Sequence, residues 1–459
     1  MENKKSSIVQ DFTQGSIFRI LVLFSLPVMG CNLLQTVYNL VDMVVIGQFV
    51  GSAGLSAVTI GGDVLHLITF LVMGFSSAGQ VILAQYIGAG QREKVNSAIG
   101  TLFTLILSSA VILSVICFLN IDPILNAMNT PPEAMEAARA YCLTCIVGLV
   151  FIYGYNLVSA ILRGMGDSRH PLLFIGVATV VNLVFDLIFV AGLGLGPFGA
   201  ALATVLGQAV SFIWSLAFLY RRKKEFCFDF KPRSFIPDKT IMPSLVKLGL
   251  PMSLQFGAIT FSMLVVNSFL NDYGVVASAV TGVGSKLGSV ASVVTNAMST
   301  SGSTVVGQNL GAERYDRVPH VIRAILIIGM SFAILLSTLT ICFPKTVFGL
   351  FNSEPAVLDM AMEYVPVAVI IFVASSLRAP FFALINGSGN AKLNLIVGLL
   401  DGIVSRIGLA LLLGLALDLG IKGFWYGNAL AGFVPFLIGL VYFLSKRWMA
   451  PPKAVRQNS

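Results

Sequence analysis

Charge is scarce in this chain. Asp, Glu, Lys and Arg make up 11% of its 459 residues, against roughly 25% in soluble domains. Hydrophobic residues make up 56%, and the mean hydropathy is +0.88. A water-soluble fold is excluded, because so much apolar side chain has to face lipid. Histidine is rare: His66, His170 and His320 are dispersed, and no H-E-x-x-H occurs, which removes the usual zinc hydrolase. No G-x-x-x-x-G-K-[ST] is present, so the chain does not itself use ATP to drive work. Gly282-Val283-Gly284-Ser285-Lys286-Leu287-Gly288 is glycine-rich, but it lies in an apolar span without a preceding strand and reads as helix packing. The six cysteines fall mostly in apolar stretches. Cys142 and Cys145 form one C-x-x-C with no second pair to complete a zinc site, so they read as small residues on a buried helix. No cluster of histidines and acids suggests an enzyme. Tens of alternating residues are missing too, which excludes a β-barrel. No A-x-A cleavage pattern closes the first apolar run, so that run is read as a retained helix.

What the chain does have is a duplication. Gln85-Tyr86-Ile87-Gly88-Ala89-Gly90 returns as Gln308-Asn309-Leu310-Gly311-Ala312-Glu313, 223 residues later. Arg163-Gly164-Met165-Gly166-Asp167 returns as Asn386-Gly387-Ser388-Gly389-Asn390 at the same offset, and Leu26-Pro27 as Leu250-Pro251 at 224. A duplicated membrane bundle commonly encloses a central site, and transporters rock one lobe against the other.

The spacing of apolar runs predicts an all-α membrane protein of twelve transmembrane helices in two six-helix lobes. The spans fall at about 17–45, 54–78, 97–119, 135–157, 172–191, 198–220, 244–269, 275–299, 320–342, 361–384, 394–416 and 421–444. Each can cross a hydrocarbon core of roughly 30 Å. The domains follow: an N-lobe at 1–220, a cytoplasmic linker at 221–243 carrying Pro232, Pro237 and Pro243, and a C-lobe at 244–459. Six spans per half is an even number, so the repeats are parallel in topology. With the N-terminus inside, 23 of 29 lysines and arginines, from Lys4 and Lys5 to Arg456, fall on the cytoplasmic side, which predicts that both termini are cytoplasmic. This bias also accounts for the net charge of +8, so nucleic-acid binding is not expected. The run Arg221-Arg222-Lys223-Lys224 sets orientation and can touch anionic lipid.

Ionisable groups inside a membrane are costly, so each is a candidate for function. Asp42 follows Tyr38 by four residues and Asp186 follows Asn182 by four, which puts each pair on one helix face. Two converging carboxylates could share a proton, because burial and mutual repulsion disfavour two charges. They could equally hold Na⁺ with nearby oxygens, including that of Thr204. Snorkelling of either acid to the interface is the alternative. Asp63 and His66, three apart, read as a satisfied polar pair facing the lobe interior, with a proton relay as the alternative. Lys286 lies mid-span and could balance a carboxylate. Asp401 and Arg406 read as a structural pairing or interhelix contact, and Arg378 as snorkelling inward. Pro27 and Pro251 sit at matching places in the first helix of each half and are candidate hinges, where matched helix breaks are expected.

The motifs Ser25-Leu26-Pro27, Tyr38-Asn39-Leu40-Val41-Asp42, Ala84-Gln85-Tyr86-Ile87-Gly88-Ala89-Gly90, Leu162-Arg163-Gly164-Met165-Gly166-Asp167, Asn182-Leu183-Val184-Phe185-Asp186 and Gly199-Ala200-Ala201 resemble those of multidrug and toxic compound extrusion (MATE) transporters, most nearly the DinF-like type. The resemblance covers nearly the whole chain. It implies a V-shaped cavity and efflux of cationic or amphipathic compounds in exchange for H⁺ or Na⁺ across the cell membrane. No cofactor is expected, membrane lipid forms the surroundings, and one pair of lobes should suffice as a monomer. The family's cation-site residues fall on Tyr38, Asp42, Asn182, Asp186 and Thr204. The second-lobe acids of NorM-type relatives have no counterpart, since Gln255 and Arg378 stand on those spans. Leu187 follows Asp186 where many relatives have proline, which removes one cause of a bend there. The rival reading is a flippase for a lipid-linked precursor.

Overall fold

The computed structural model describes residues 9–456, so Lys4 and Lys5 of the orientation argument lie outside the described residues. All regular structure among the described residues is helical. The long helices are α1 (Ile17–Phe49), α2 (Ser52–Gly88), α3 (Arg92–Leu119), α4 (Pro132–Val147), α5 (Leu149–Gly164), α6 (Arg169–Asp186), α7 (Gly196–Arg221), α8 (Ile241–Asn271), α9 (Val275–Gly311), α10 (Val318–Cys342), α11 (Pro355–Gly387), α12 (Ala391–Leu399), α13 (Arg406–Leu411), α14 (Gly420–Ala431) and α15 (Val434–Leu444). A π-helical turn (Leu187–Gly192) continues α6, and two more (Leu400–Ser405 and Leu412–Ala416) flank α13.

Ten helical stretches are long and apolar enough to cross a membrane, and α4 with α5, bent by 50° at their junction, supplies an eleventh. The bend falls at Gly148, where a Cβ would lie 2.4 Å from the side chain of Val205 on α7. The twelfth expected span is α9. It is 37 residues long, but its C-terminal half buries Ser301, Gly302, Ser303, Thr304, Gln308 and Asn309. The Ser303 hydroxyl is spent on the helix itself, donating to the Ser299 carbonyl at 2.8 Å, while that of Ser301 is buried without a hydrogen-bond partner. Polar side chains can therefore occupy a membrane helix without facing lipid.

The chain packs as two compact units. One holds the stretch ending at Asp11 with Leu26–Gly249; the other holds Phe12–Ser25 with the chain from Leu250 on. The unit boundary cuts α1 just before Leu26-Pro27 and α8 just before Leu250-Pro251. Both helices run unbroken through their prolines, so the expected helix breaks are absent, while the change of unit falls at the repeated Leu-Pro. The sequence division at 220 and 244 describes how the chain is duplicated; the compact units describe how it packs.

In the first unit, Tyr153 Oη on α5 donates to the Ile68 carbonyl on α2 at 2.8 Å, and Ser211 Oγ on α7 to the Phe174 carbonyl on α6 at 3.0 Å. The linker region lies against α3. Asp229 N donates to Asn96 Oδ1 at 3.2 Å and Asp238 N to Thr101 Oγ1 at 3.0 Å, while Thr104 donates to the Phe235 carbonyl. Phe228 and Phe235 pack on Phe103 at 5.9 and 5.7 Å. The Ser234 hydroxyl and the Lys231 amide hold the Asp229 carboxyl below the usual carboxylate range. Close approach requires Gly100, whose Cβ would meet the Ser234 carbonyl oxygen at 1.7 Å.

In the second unit, the segment before α1 is clasped by the repeat motif. Phe12 N donates to Gln308 Oε1 at 2.9 Å, Asn309 Nδ2 to the Phe12 carbonyl at 3.2 Å, and Arg317 Nη2 to the Gly15 carbonyl at 2.9 Å. The core runs through Phe348, Phe372, Phe424 and Trp425. Trp425 Nε1 on α14 donates to Thr281 Oγ1 on α9 at 2.9 Å. The duplication extends to backbone geometry: Gly90 and Glu313, 223 apart, both take left-handed φ, at 70° and 57°. The second copy keeps the turn although the side chain costs about 1–2 kcal/mol in that region.

Candidate functional site

In the first unit, α1, α6 and α7 bring together the residues predicted for a cation site. Asp42 is 7% exposed, Asp186 0%, Asn182 1% and Thr204 9%. Neither acid snorkels to a surface. Asp186 and Asn182 face the Asp42 carboxyl, and Thr204 faces the Tyr38 hydroxyl. The i,i+4 spacing on α1 and on α6 stacks each pair on one face. Asp186 is the last residue of α6 before the π-helical turn Leu187–Gly192, so a change of helical pitch follows the acid although proline is absent. Such turns often mark functional sites. Gly207 seats α7: a Cβ there would lie 2.8 Å from the Ala178 carbonyl oxygen and 3.4 Å from Asn182 Cβ. One turn earlier on the same face stands Thr204.

The polar atoms of this cluster face one another without completing hydrogen bonds. Tyr38 Oη, Asp42 Oδ1, Asn182 Nδ2, both Asp186 carboxylate oxygens and Thr204 Oγ1 are all buried with no hydrogen-bond partner. Leaving such groups unmade costs about 1–3 kcal/mol each, more when charged. Two carboxylates among hydroxyl and amide groups form an oxygen-rich set that fits a proton or a small hard cation. Sequence reasoning missed the fourth wall. Tyr141 and Cys145 on α4 stand beside Tyr38 and Asp42; both are buried, and Cys145 is a free thiol. The signal available was the Tyr141/Cys145 i,i+4 spacing, which repeats that of Tyr38/Asp42. Cys142 and Cys145 are otherwise the buried small residues expected.

The accessory candidates divide. Asp63 and His66 are exposed on α2 with no ion pair or side-chain hydrogen bond between them, which corrects the expectation of a satisfied interior pair: at i,i+3 they share the face that α2 turns away from its own unit's core. Lys286 on α9 is exposed too, at the repeat position of Asp63. Asp401 and Arg406 do pair, with Arg406 Nη2 3.3 Å from Asp401 Oδ1 and side chains 6% and 0% exposed. Arg406 Nη1 donates to Asn428 Oδ1 at 2.9 Å, and Arg378 stands within electrostatic reach of both charges. No group of three or more His, Cys, Asp or Glu side chains suited to a metal occurs among the described residues.

A helical chain built twice from one membrane-spanning unit, with two carboxylates buried in one copy, has the build of a membrane transporter. Comparison with known proteins specifies the class. The MatE family model matches residues 27–188 and again 251–412, once on each repeat. The chain belongs to the MatE family, the MATE transporters. It is 27% identical to the probable multidrug resistance protein YpnP of Bacillus subtilis, over 96% of this chain and 98% of that one. It is 26% identical to the probable multidrug resistance protein YoeA of the same organism, over 96% and 97%. A crystal structure of MATE in the bent conformation is 25% identical over 99% of both chains, with a TM-score of 0.88. The family fold has twelve helices in two lobes, and the protein is a multi-pass membrane protein.

Proposed function

We propose that this protein is a secondary multidrug efflux antiporter, exporting cationic or amphipathic organic compounds in exchange for H⁺ or Na⁺ bound at Asp42 and Asp186. The names of the relatives support multidrug efflux. The single observation behind the coupling site is the set of buried, unpaired oxygens converging from α1, α6 and α7. Two desolvated carboxylates cannot both remain charged and uncompensated, because removing each charge from water costs several kcal/mol. A bound cation neutralises that charge. Tyr38, Asn182 and Thr204 offer further oxygens. With the cation the three helices can close on one another; without it the acids repel. The ion drives transport through its different affinities for the two facing states, since a ligand binding both equally shifts nothing.

The test is uptake of a fluorescent organic cation into proteoliposomes, with a pH gradient and a Na⁺ gradient imposed separately. Uptake driven by one gradient and lost in Asp42→Asn and Asp186→Asn supports the proposal and names the ion. Uptake that proceeds equally in both variants removes these acids from coupling. Failure to move any organic cation, by protein shown to be folded, turns the reading toward a lipid-precursor flippase.

A further inference from the structure

The second repeat has a counterpart of the first unit's polar site, in which an arginine paired with one acid replaces the two carboxylates. The repeat offset steps from 223 at Gly166/Gly389 to 224 at Gly196/Gly420 and Gly199/Gly423. The π-helical turn Leu400–Ser405, which has no partner in the first copy, absorbs the extra residue. Arg406, directly after that turn, therefore takes the position of Asn182, and Asn428 that of Thr204. The positions of Asp42 and Asp186 are held by Val266 and Ala410. Both carboxylates are gone, and a guanidinium has arrived. It hydrogen-bonds the Thr204 counterpart, Asn428, at 2.9 Å, and balances Asp401 from within the same helical stretch at 3.3 Å. Apart from that ion pair, neither Asp401 oxygen has a hydrogen-bond partner, so the Arg406 guanidinium is its close balance, with the Arg378 charge farther off.

We propose that the Arg406 guanidinium is a tethered cation, standing in the second unit where the first unit takes its coupling ion. The inference rests on reading Asp42 and Asp186 as that ion's site. The first unit then responds to an ion gradient, while the second carries its own permanent charge and packs the same way whatever the gradient. An arginine suits this role because it stays protonated at all physiological pH values and presents a fixed fork of donors. Removing it uncovers a buried carboxylate shaped for a small planar cation, so free guanidinium should bind there.

The experiment uses purified full-length protein carrying Asp42→Asn and Asp186→Asn, which silences the first unit's site in every sample. Arg406→Ala is added, and thermal unfolding is followed with guanidinium chloride up to about 20 mM, far below the molar range that denatures proteins, against choline chloride at equal strength. Guanidinium is expected to raise the melting temperature of the Arg406→Ala protein by about 1–2 °C at ten times its Kd. It should leave the Arg406 parent unmoved and lose its effect when Asp401→Asn is added. An equal response with and without Arg406, or none in folded Arg406→Ala protein, overturns the proposal. Should Arg406→Ala not fold alone, recovery of folded protein in the presence of guanidinium supports it, and no recovery counts against it. Arg406→Lys, which keeps the charge, is expected to fold without guanidinium; a lysine variant as unstable as the alanine variant also overturns the proposal. Guanidinium rescue alongside ion-independent transport would keep the tethered charge and discard the first unit's coupling role.

Discussion

Tyr38 shows how the site is built at the scale of single residues. Its ring is partly exposed, yet its hydroxyl is buried, facing Thr204 without a hydrogen bond. A hydroxyl held there is available to a cation. Tyr38→Phe should keep the fold and weaken the coupling ion by about three- to tenfold, the equivalent of one hydrogen bond of about 1 kcal/mol. The ion concentration giving half-maximal transport measures this; an unchanged value would take Tyr38 out of the site. Asp42, Asn182 and Asp186 were legible in the sequence, because spacing of four on an apolar helix aligns side chains whatever the tertiary fold. Thr204 was read as a nearby oxygen on the next span, and family resemblance pointed to the same residue. Tyr141 and Cys145 were not legible as site residues, since nothing in the sequence of α4 says that it packs on α2 and α7 within electrostatic reach of Asp42. Asp63 and His66 misled for the opposite reason: spacing gives a shared face without saying what that face meets.

Among the elements, α9 and the linker departed most from what hydropathy alone indicates. The serines and threonines of α9 lower its apolar character, but the hydroxyls of Thr281, Thr295 and Ser303 return hydrogen bonds to their own helix, so burial inside the unit is tolerated. The linker reads as a polar connector rich in proline, yet Asn96, Thr101 and Thr104 on α3 supply partners for its backbone. Those partners are visible once α3 and the linker are adjacent, and ordinary polar residues at the end of a span do not announce them. Gly100→Ala would drive a methyl group into the Ser234 carbonyl. Trypsin should then cut after the exposed linker residue Arg233 several-fold faster than in the parent, because proteolysis follows local opening. Equal cleavage rates would mean that the linker is not held by this contact.

For the whole molecule, the duplication was legible and the packing was not. The repeated Leu-Pro, Gln-x-x-Gly and Gly-x-Gly landmarks fix two halves, and the family model finds each half separately. That Phe12–Ser25 belongs with the second unit depends on the contacts of Gln308, Asn309 and Arg317, which sequence spacing does not reveal. The distribution of lysine and arginine proposes that both termini face the cytoplasm. A fluorescent protein that matures in the cytoplasm but not outside, fused after Ser459, should glow in cells; a dark but stable fusion would invert the topology. The central claim is that Asp42 and Asp186 bind the ion whose movement drives export. Antiport is reciprocal, so a substrate gradient must move the ion as surely as an ion gradient moves substrate. The most direct measurement loads proteoliposomes with an organic cation, lets it flow down its gradient, and follows internal pH and ²²Na⁺ together. The account predicts uphill entry of one of the two ions with the wild-type protein and none with Asp42→Asn/Asp186→Asn. Substrate flow with neither ion moving, or the same ion flux in the double variant, would contradict it.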